Sequence, residues 1–118
     1  VRAHGLPLRI ATKSLRVPAL VARLLARGAP DLVGLLCFAV AEAEALAGLG
    51  HDDLFVAYPP SIRRGPQQDL ARAARLAHAG TRLVLAVDSA LAIDRAAEEA
   101  RAHGAELVLA LCIDMSFH

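Results

Sequence analysis

The chain has 118 residues, 56% of them apolar and 3% aromatic, with 13 lysines and arginines against 12 aspartates and glutamates. That length makes one domain or part of one, and the near-neutral balance offers no basic face for nucleic acid. No run reaches the roughly 18 uninterrupted apolar residues of a membrane-spanning helix, so the high mean hydropathy of +0.44 is read as a buried parallel sheet flanked by alanine-rich helices.

Val1-Arg2-Ala3-His4 lacks the apolar run of a secretory signal and a starting Met, so the true start is expected upstream. Leu8 to Thr12 reads as a first strand. Pro18 to Ala26 reads as a helix closed by Gly28. Leu32 to Phe38 follows as a strand, then a helix over Ala41 to Ala47 ending at Gly48-Leu49-Gly50. Leu54 to Tyr58 is the third strand, stopped by Pro59-Pro60. A helix from Pro66 to about Ala79 ends at Gly80, Leu83 to Val87 is the fourth strand, and Ser89 to His103 a helix closed by Gly104. Leu107 to Ile113 is the fifth strand. Proline at helix starts and glycine at helix ends are the expected punctuation. Apolar strands alternating with helices argue for βαβ units in a parallel sheet.

Strand parity refines this picture. Arg9, Ala11 and Lys13 share one face of the first strand; Val84, Ala86 and Asp88 align in the fourth; Val108, Ala110, Cys112 and Asp114 align in the fifth. Each set ends in a polar group at the strand's C-terminal tip. Small residues on that face, with larger Leu and Ile packing on helices, predict the lining of a narrow barrel. The fold class expected is α/β, a partial TIM (β/α)8 barrel of about four and a half units with sequential strands. A complete flavodoxin-like domain is the alternative, with strand order 2-1-3-4-5.

The chemistry-bearing residues gather at the strand ends. Lys13, Ser14 and Arg16 follow the first strand, Cys37 and Phe38 the second, and Tyr58 the third. Asp88 and Ser89 follow the fourth, and Asp114, Ser116 and His118 the fifth. A semi-enclosed lysine can act as a nucleophilic amine, or serve as a salt-bridge or phosphate partner. Asp88-Ser89 also suits a helix N-cap, and Tyr58 suits either a ring stack or a cap on the core. Asp52-Asp53 suits turn chemistry at the opposite end, and Arg63 and Arg64 suit a solvated loop. The five histidines and two cysteines show no metal-ligand spacing; the cysteines are expected as reduced thiols in a cytoplasmic protein, packing as small hydrophobes.

Ile10-Ala11-Thr12-Lys13-Ser14-Leu15-Arg16 resembles the cofactor-lysine segment of the fold-type III pyridoxal-phosphate enzymes, whose N-terminal domain is an alanine-racemase-like TIM barrel. The likeness is to the D-threonine aldolase and D-serine dehydratase branch, especially bacterial amino acid deaminase/aldolase proteins. Three further segments carry it: Ala43-Glu44-Ala45 through Gly50-His51-Asp52-Asp53-Leu54-Phe55-Val56-Ala57-Tyr58-Pro59, then Leu85-Ala86-Val87-Asp88-Ser89, then Cys112-Ile113-Asp114-Met115-Ser116.

This resemblance implies that Lys13 carries pyridoxal 5'-phosphate covalently. Asp114 would face the cofactor, with Tyr58 and Asp88 as further contacts. The full-length protein would act on a small amino acid by dehydration, racemisation or retro-aldol cleavage, as a homodimer or monomer. Residues 1–118 would then form the N-terminal part of the barrel. The phosphate cradle, the pyridine-nitrogen partner and any divalent-metal ligands would come from later strands and a C-terminal β-domain. Alone, such a piece is expected to be inactive and poorly stable or self-associating, through its exposed sheet edges. A racemase or a non-catalytic pyridoxal-phosphate-binding barrel are the neighbouring readings.

Overall fold

The computed structural model of the chain describes residues 5–60 and 68–113. Strands β1 (Leu8–Ala11), β2 (Leu32–Cys37), β3 (Asp53–Val56), β4 (Arg82–Val87) and β5 (Val108–Leu111) alternate with helices α1 (Pro18–Gly28), α2 (Val40–Gly48), α3 (Gln68–His78) and α4 (Ala90–His103). A short 3-10 helix, Thr12–Ser14, follows β1 directly. All neighbouring strands pair in parallel, and the sheet order is β1-β2-β3-β4-β5. The doubly wound alternative fails on this point, because it requires β1 between β2 and β3. The architecture is thus α/β with sequential parallel strands, consistent with a barrel-like βα fold. No helix among the described residues is long and apolar enough to cross a membrane.

Local chemistry sets the element ends. Pro18 opens α1, where its missing N–H costs nothing. The helix runs through Gly28 rather than stopping at it, and Ala29, extended ahead of Pro30, ends it. Ser89 caps α4, its hydroxyl accepting the Ala92 amide at 3.3 Å, while left-handed Gly104 closes the same helix.

Period-2 alternation divides the sheet into two faces. Ile10, Leu35, Leu54 and Leu83 stand side by side across four strands, and Cys37, Val56, Leu85 and Leu109 form the next row on the same face. These rows meet Val21, Val40, Ala43, Leu46, Leu70, Ala73 and Ala96 from the helices in one core. Alanines at the helix contacts let α3 pack closely on both α2 and α4. The opposite face carries small Ala11, Ala86 and Ala110, as strand parity suggests. It also carries a row of bulkier Leu36, Phe55, Val84 and Val108, so small residues dominate only toward the C-terminal tips.

At the N-terminal ends of the strands this second face is polar. Asp53 is the first residue of β3 and belongs to the sheet, not to a turn. Its carboxylate accepts from Arg9 at 2.7 Å and from Arg82 at 2.9 Å, and its carbonyl accepts a second Arg9 N–H at 3.3 Å. Arg9 must cross β2 to make these contacts. The β1–β2 register shifts by a bulge between Leu8 and Ile10, and Gly34, at φ +65°, stands in the arginine's path. A Cβ there would collide with the Asp53 carbonyl and the Arg9 guanidinium.

Cys37, near the tip of β2, turns into the core and is fully buried. Burial, reinforced by the Glu42 charge and partly offset by Arg9, pushes its thiol up to about 12 from an ordinary 9.0.

Gly34→Ala is expected to cost about 2–5 kcal/mol, the left-handed penalty plus displacement of the Arg9–Asp53 pair. Gly104→Ala, with the nearest atom 4.0 Å from an added Cβ, should cost only about 1–2 kcal/mol. Denaturation midpoints of the two variants decide this, and equal losses would refute the crossing arginine. For Cys37, the unfolded thiol ionises above pH 9.0 while the native one holds its proton to about 12. Its contribution to stability is therefore complete below that window and lost as pH rises through it. Alkylation at mildly alkaline pH, followed by peptide mapping, should modify Cys37 only after unfolding.

Candidate functional site

Parallel strands in chain order bring every strand-to-helix junction to one edge of the sheet, the edge where α/β proteins build their sites. Lys13 sits there within the 3-10 helix that follows β1, and its side chain is exposed. Phe38 follows β2, and Tyr58 lies two residues beyond β3. Asp88 follows β4 directly and is exposed, and Cys112 follows β5. Asp114, Ser116 and His118 lie outside the described residues, as do Arg63 and Arg64. Cys37 leaves the rim set because its sulfur belongs to the core.

The turn bearing Lys13 is tightly built. The Leu15 amide donates to the Thr12 carbonyl at 2.8 Å, and Arg16 Nε donates to the Lys13 carbonyl at 3.2 Å. Thr12, just before the lysine, is 3% exposed and is the one buried polar residue among those described. Its hydroxyl stands 2.6 Å from Glu42 Oε1 and 3.1 Å from the Leu36 carbonyl oxygen, two acceptors for one proton. The other carboxylate oxygen, Glu42 Oε2, accepts the Phe38 amide at 2.7 Å.

Phe38 and Tyr58 form a tilted ring pair, with centroids 4.5 Å apart and planes at 41°. Tyr58 therefore sets its ring against Phe38 at a tilt, half-exposed at the rim. At 53% and 51% exposure the two rings remain open to solvent, so the pair is a surface that another flat, apolar group can use. Ser89 is accounted for by its capping bond, which leaves Asp88 the free carboxylate of that junction.

A cleft of about 620 Å³ opens between the Lys13 turn and the start of α2. Lys13, Ser14, Arg16, Phe38, Glu42 and Leu46 are among its lining residues. That volume lies within the usual range for small-molecule sites. The cleft is mostly apolar, and its polar lining is two cations, Lys13 and Arg16, one carboxylate, Glu42, and the hydroxyl residues Thr12 and Ser14. This arrangement suits an anionic or carbonyl-bearing small molecule that an amine can hold. Among the described residues, no group of three His, Cys, Asp or Glu side chains is placed to hold a metal ion.

Glu42 and the role of Thr12 escape a reading of the sequence by motif. The usual signature is a Ser or Thr at the helix cap with Glu three residues later. Here the cap is Ala39, so half of that signature is absent. The surviving signal is the position of Glu42 in the first turn, where a carboxylate is favoured by the helix dipole.

No protein-family model matches the chain, and no curated protein does. Among solved structures, it is similar to the crystal structure of D-threonine aldolase from Filomicrobium marinum. The TM-score is 0.83 and the sequence identity 26%, over 98% of this chain. The chain spans 29% of that aldolase.

Proposed function

We propose that the chain is the N-terminal barrel portion of a pyridoxal-phosphate-dependent amino-acid lyase of the D-threonine aldolase and D-serine dehydratase kind, with Lys13 as the cofactor lysine. One observation carries this reading. Of the 13 basic residues twelve are arginine, and Lys13 is the single lysine. It stands at the C-terminal end of β1 in a chain that follows a D-threonine aldolase at TM-score 0.83 over 98% of its length. The likeness and the sequential sheet order support a barrel-like βα unit of enzyme-family origin.

The residues present fit the cofactor. A primary amine can condense with an aldehyde and hold it covalently, and Lys13 offers one from an exposed turn. The Phe38–Tyr58 pair supplies a flat apolar surface on the same rim. When bound, pyridoxal phosphate supplies the electron sink that labilises bonds at the substrate's Cα. This chain's own residues orient and enclose: Lys13 anchors, the ring pair bounds one side, and Arg16 sets a fixed positive charge beside the lysine. Asp88 is an exposed carboxylate of the rim available for proton handling; Asp114, the residue the family resemblance adds, lies outside the described residues. Phosphate binding, any divalent metal and closure of the barrel fall to the rest of the full-length protein.

Borohydride reduction of the full-length protein loaded with pyridoxal phosphate, followed by peptide mapping, is expected to place a pyridoxyl group on Lys13. Lys13→Arg should trap none at that peptide and lose D-threonine cleavage. Label confined to another peptide, or no label at all, would remove Lys13 from this role.

A further inference from the structure

We infer that Glu42 is a positioning residue that holds both walls of the Lys13 cleft at once. The inference rests on the assignment of Lys13 above. One wall is the Thr12–Ser14 turn, which Glu42 reaches through the buried Thr12 hydroxyl at 2.6 Å. The other is the Phe38 segment, whose backbone amide donates to the second oxygen of the same carboxylate at 2.7 Å.

The two segments come from different βα units and share no covalent path shorter than β2 and α1. Glu42 shortens that path to two hydrogen bonds. Thr12 is next to Lys13 in the chain, so fixing its side chain fixes the backbone from which the lysine leaves. Phe38 carries one ring of the aromatic pair, so fixing its amide fixes where that ring and Tyr58 meet, 4.5 Å apart. Glu42 itself lines the cleft between them. A carboxylate suits this place because Ala39 caps α2 without a side-chain acceptor, and the first-turn position lets an acidic group turn back onto free amides.

The chemistry separates a geometric role from a purely electrostatic one. In Glu42→Gln the carbonyl oxygen still accepts the Phe38 amide. The new N–H donates to Thr12 Oγ, which then gives its single proton to the Leu36 carbonyl, 3.1 Å away. Both links survive with the charge removed. In Glu42→Ala both are lost. Thr12→Val cuts the link to the lysine turn and spares the link to Phe38.

The experiment uses the full-length protein, pyridoxal phosphate as ligand, and two readouts. Amide hydrogen exchange in the cofactor-free protein reports the Phe38 and Leu15 amides. Borohydride trapping at limiting pyridoxal phosphate reports affinity at Lys13. Glu42→Ala should speed exchange at both amides and weaken trapping about tenfold or more; Thr12→Val should do the same at Leu15 alone. Glu42→Gln should restore protection and trapping. Leu70→Ala, a core substitution on α3 that does not line the cleft, controls for general destabilisation and should leave trapping unchanged. Unchanged exchange and trapping in Glu42→Ala would overturn the inference, as would a Gln variant that behaves like the Ala variant. If the wild type traps nothing at Lys13, the proposed function fails, and the exchange pattern alone decides whether Glu42 holds the two segments.

Discussion

The register of the parallel sheet is the constraint on which everything else depends. Ile10, Leu35, Leu54 and Leu83 lie in one row facing the helices. A slip of one residue in any strand would turn that strand's apolar set away from the core. With the row fixed, the C-terminal ends of the strands fall along one edge, and Lys13, Phe38, Tyr58, Asp88 and Cys112 line that edge although they span most of the chain. Fully burying a Leu or Val side chain contributes about 1.5–3 kcal/mol, and five aliphatic residues of β2, β3 and β4 that pack in this core are essentially inaccessible. Their sum outweighs the few hydrogen bonds of the rim. The site is placed by apolar packing and refined by polar contacts.

Those polar contacts are of two kinds, and they differ in what they can do. At the N-terminal ends of the strands, Arg9, Asp53 and Arg82 form a half-exposed ion cluster. Solvent screening limits its net worth to a modest contribution, and its effect is to tie β1 to β3 across the bulge in β2. At the C-terminal ends, the Thr12–Glu42–Phe38 network has a buried hydroxyl at its centre. A buried polar group left without a partner is costly, so this network favours one arrangement of the turn over its neighbours. The first cluster joins strands already held by their ladders. The second joins loops that have no ladder, which is where side-chain bonds decide geometry.

Much of this was legible in the sequence, for physical reasons that can be named. Five apolar runs separated by proline and glycine gave the strands and helices to within a residue or two, because periodicity and punctuation are local properties. Ser89 was legible as a cap because its partner lies three residues away. The place of Lys13, just past the first strand, was legible because the end of an apolar run is a local feature. Asp53 was not, since its partners Arg9 and Arg82 lie 44 and 29 residues away and meet it only through the bulge and Gly34. Cys37 was legible as a buried small hydrophobe, the ordinary place of a free cysteine, although it stands at a strand's end.

The uncovered face of the sheet gives the fold its remaining argument. Parallel sheets ordinarily bury both faces, yet the helices here pack against one. The other carries Ala11, Leu36, Phe55, Val84 and Val108 in a row across all five strands. A second helical layer would favour bulky residues along the whole of that face, but it narrows to Ala86 and Ala110 toward the C-terminal tips and turns ionic at Arg9 and Asp53. A sheet that curls until this face meets itself needs that grading: side chains large enough to fill the middle, charges that satisfy one another at one end, and small residues at the other, where a mouth must stay open.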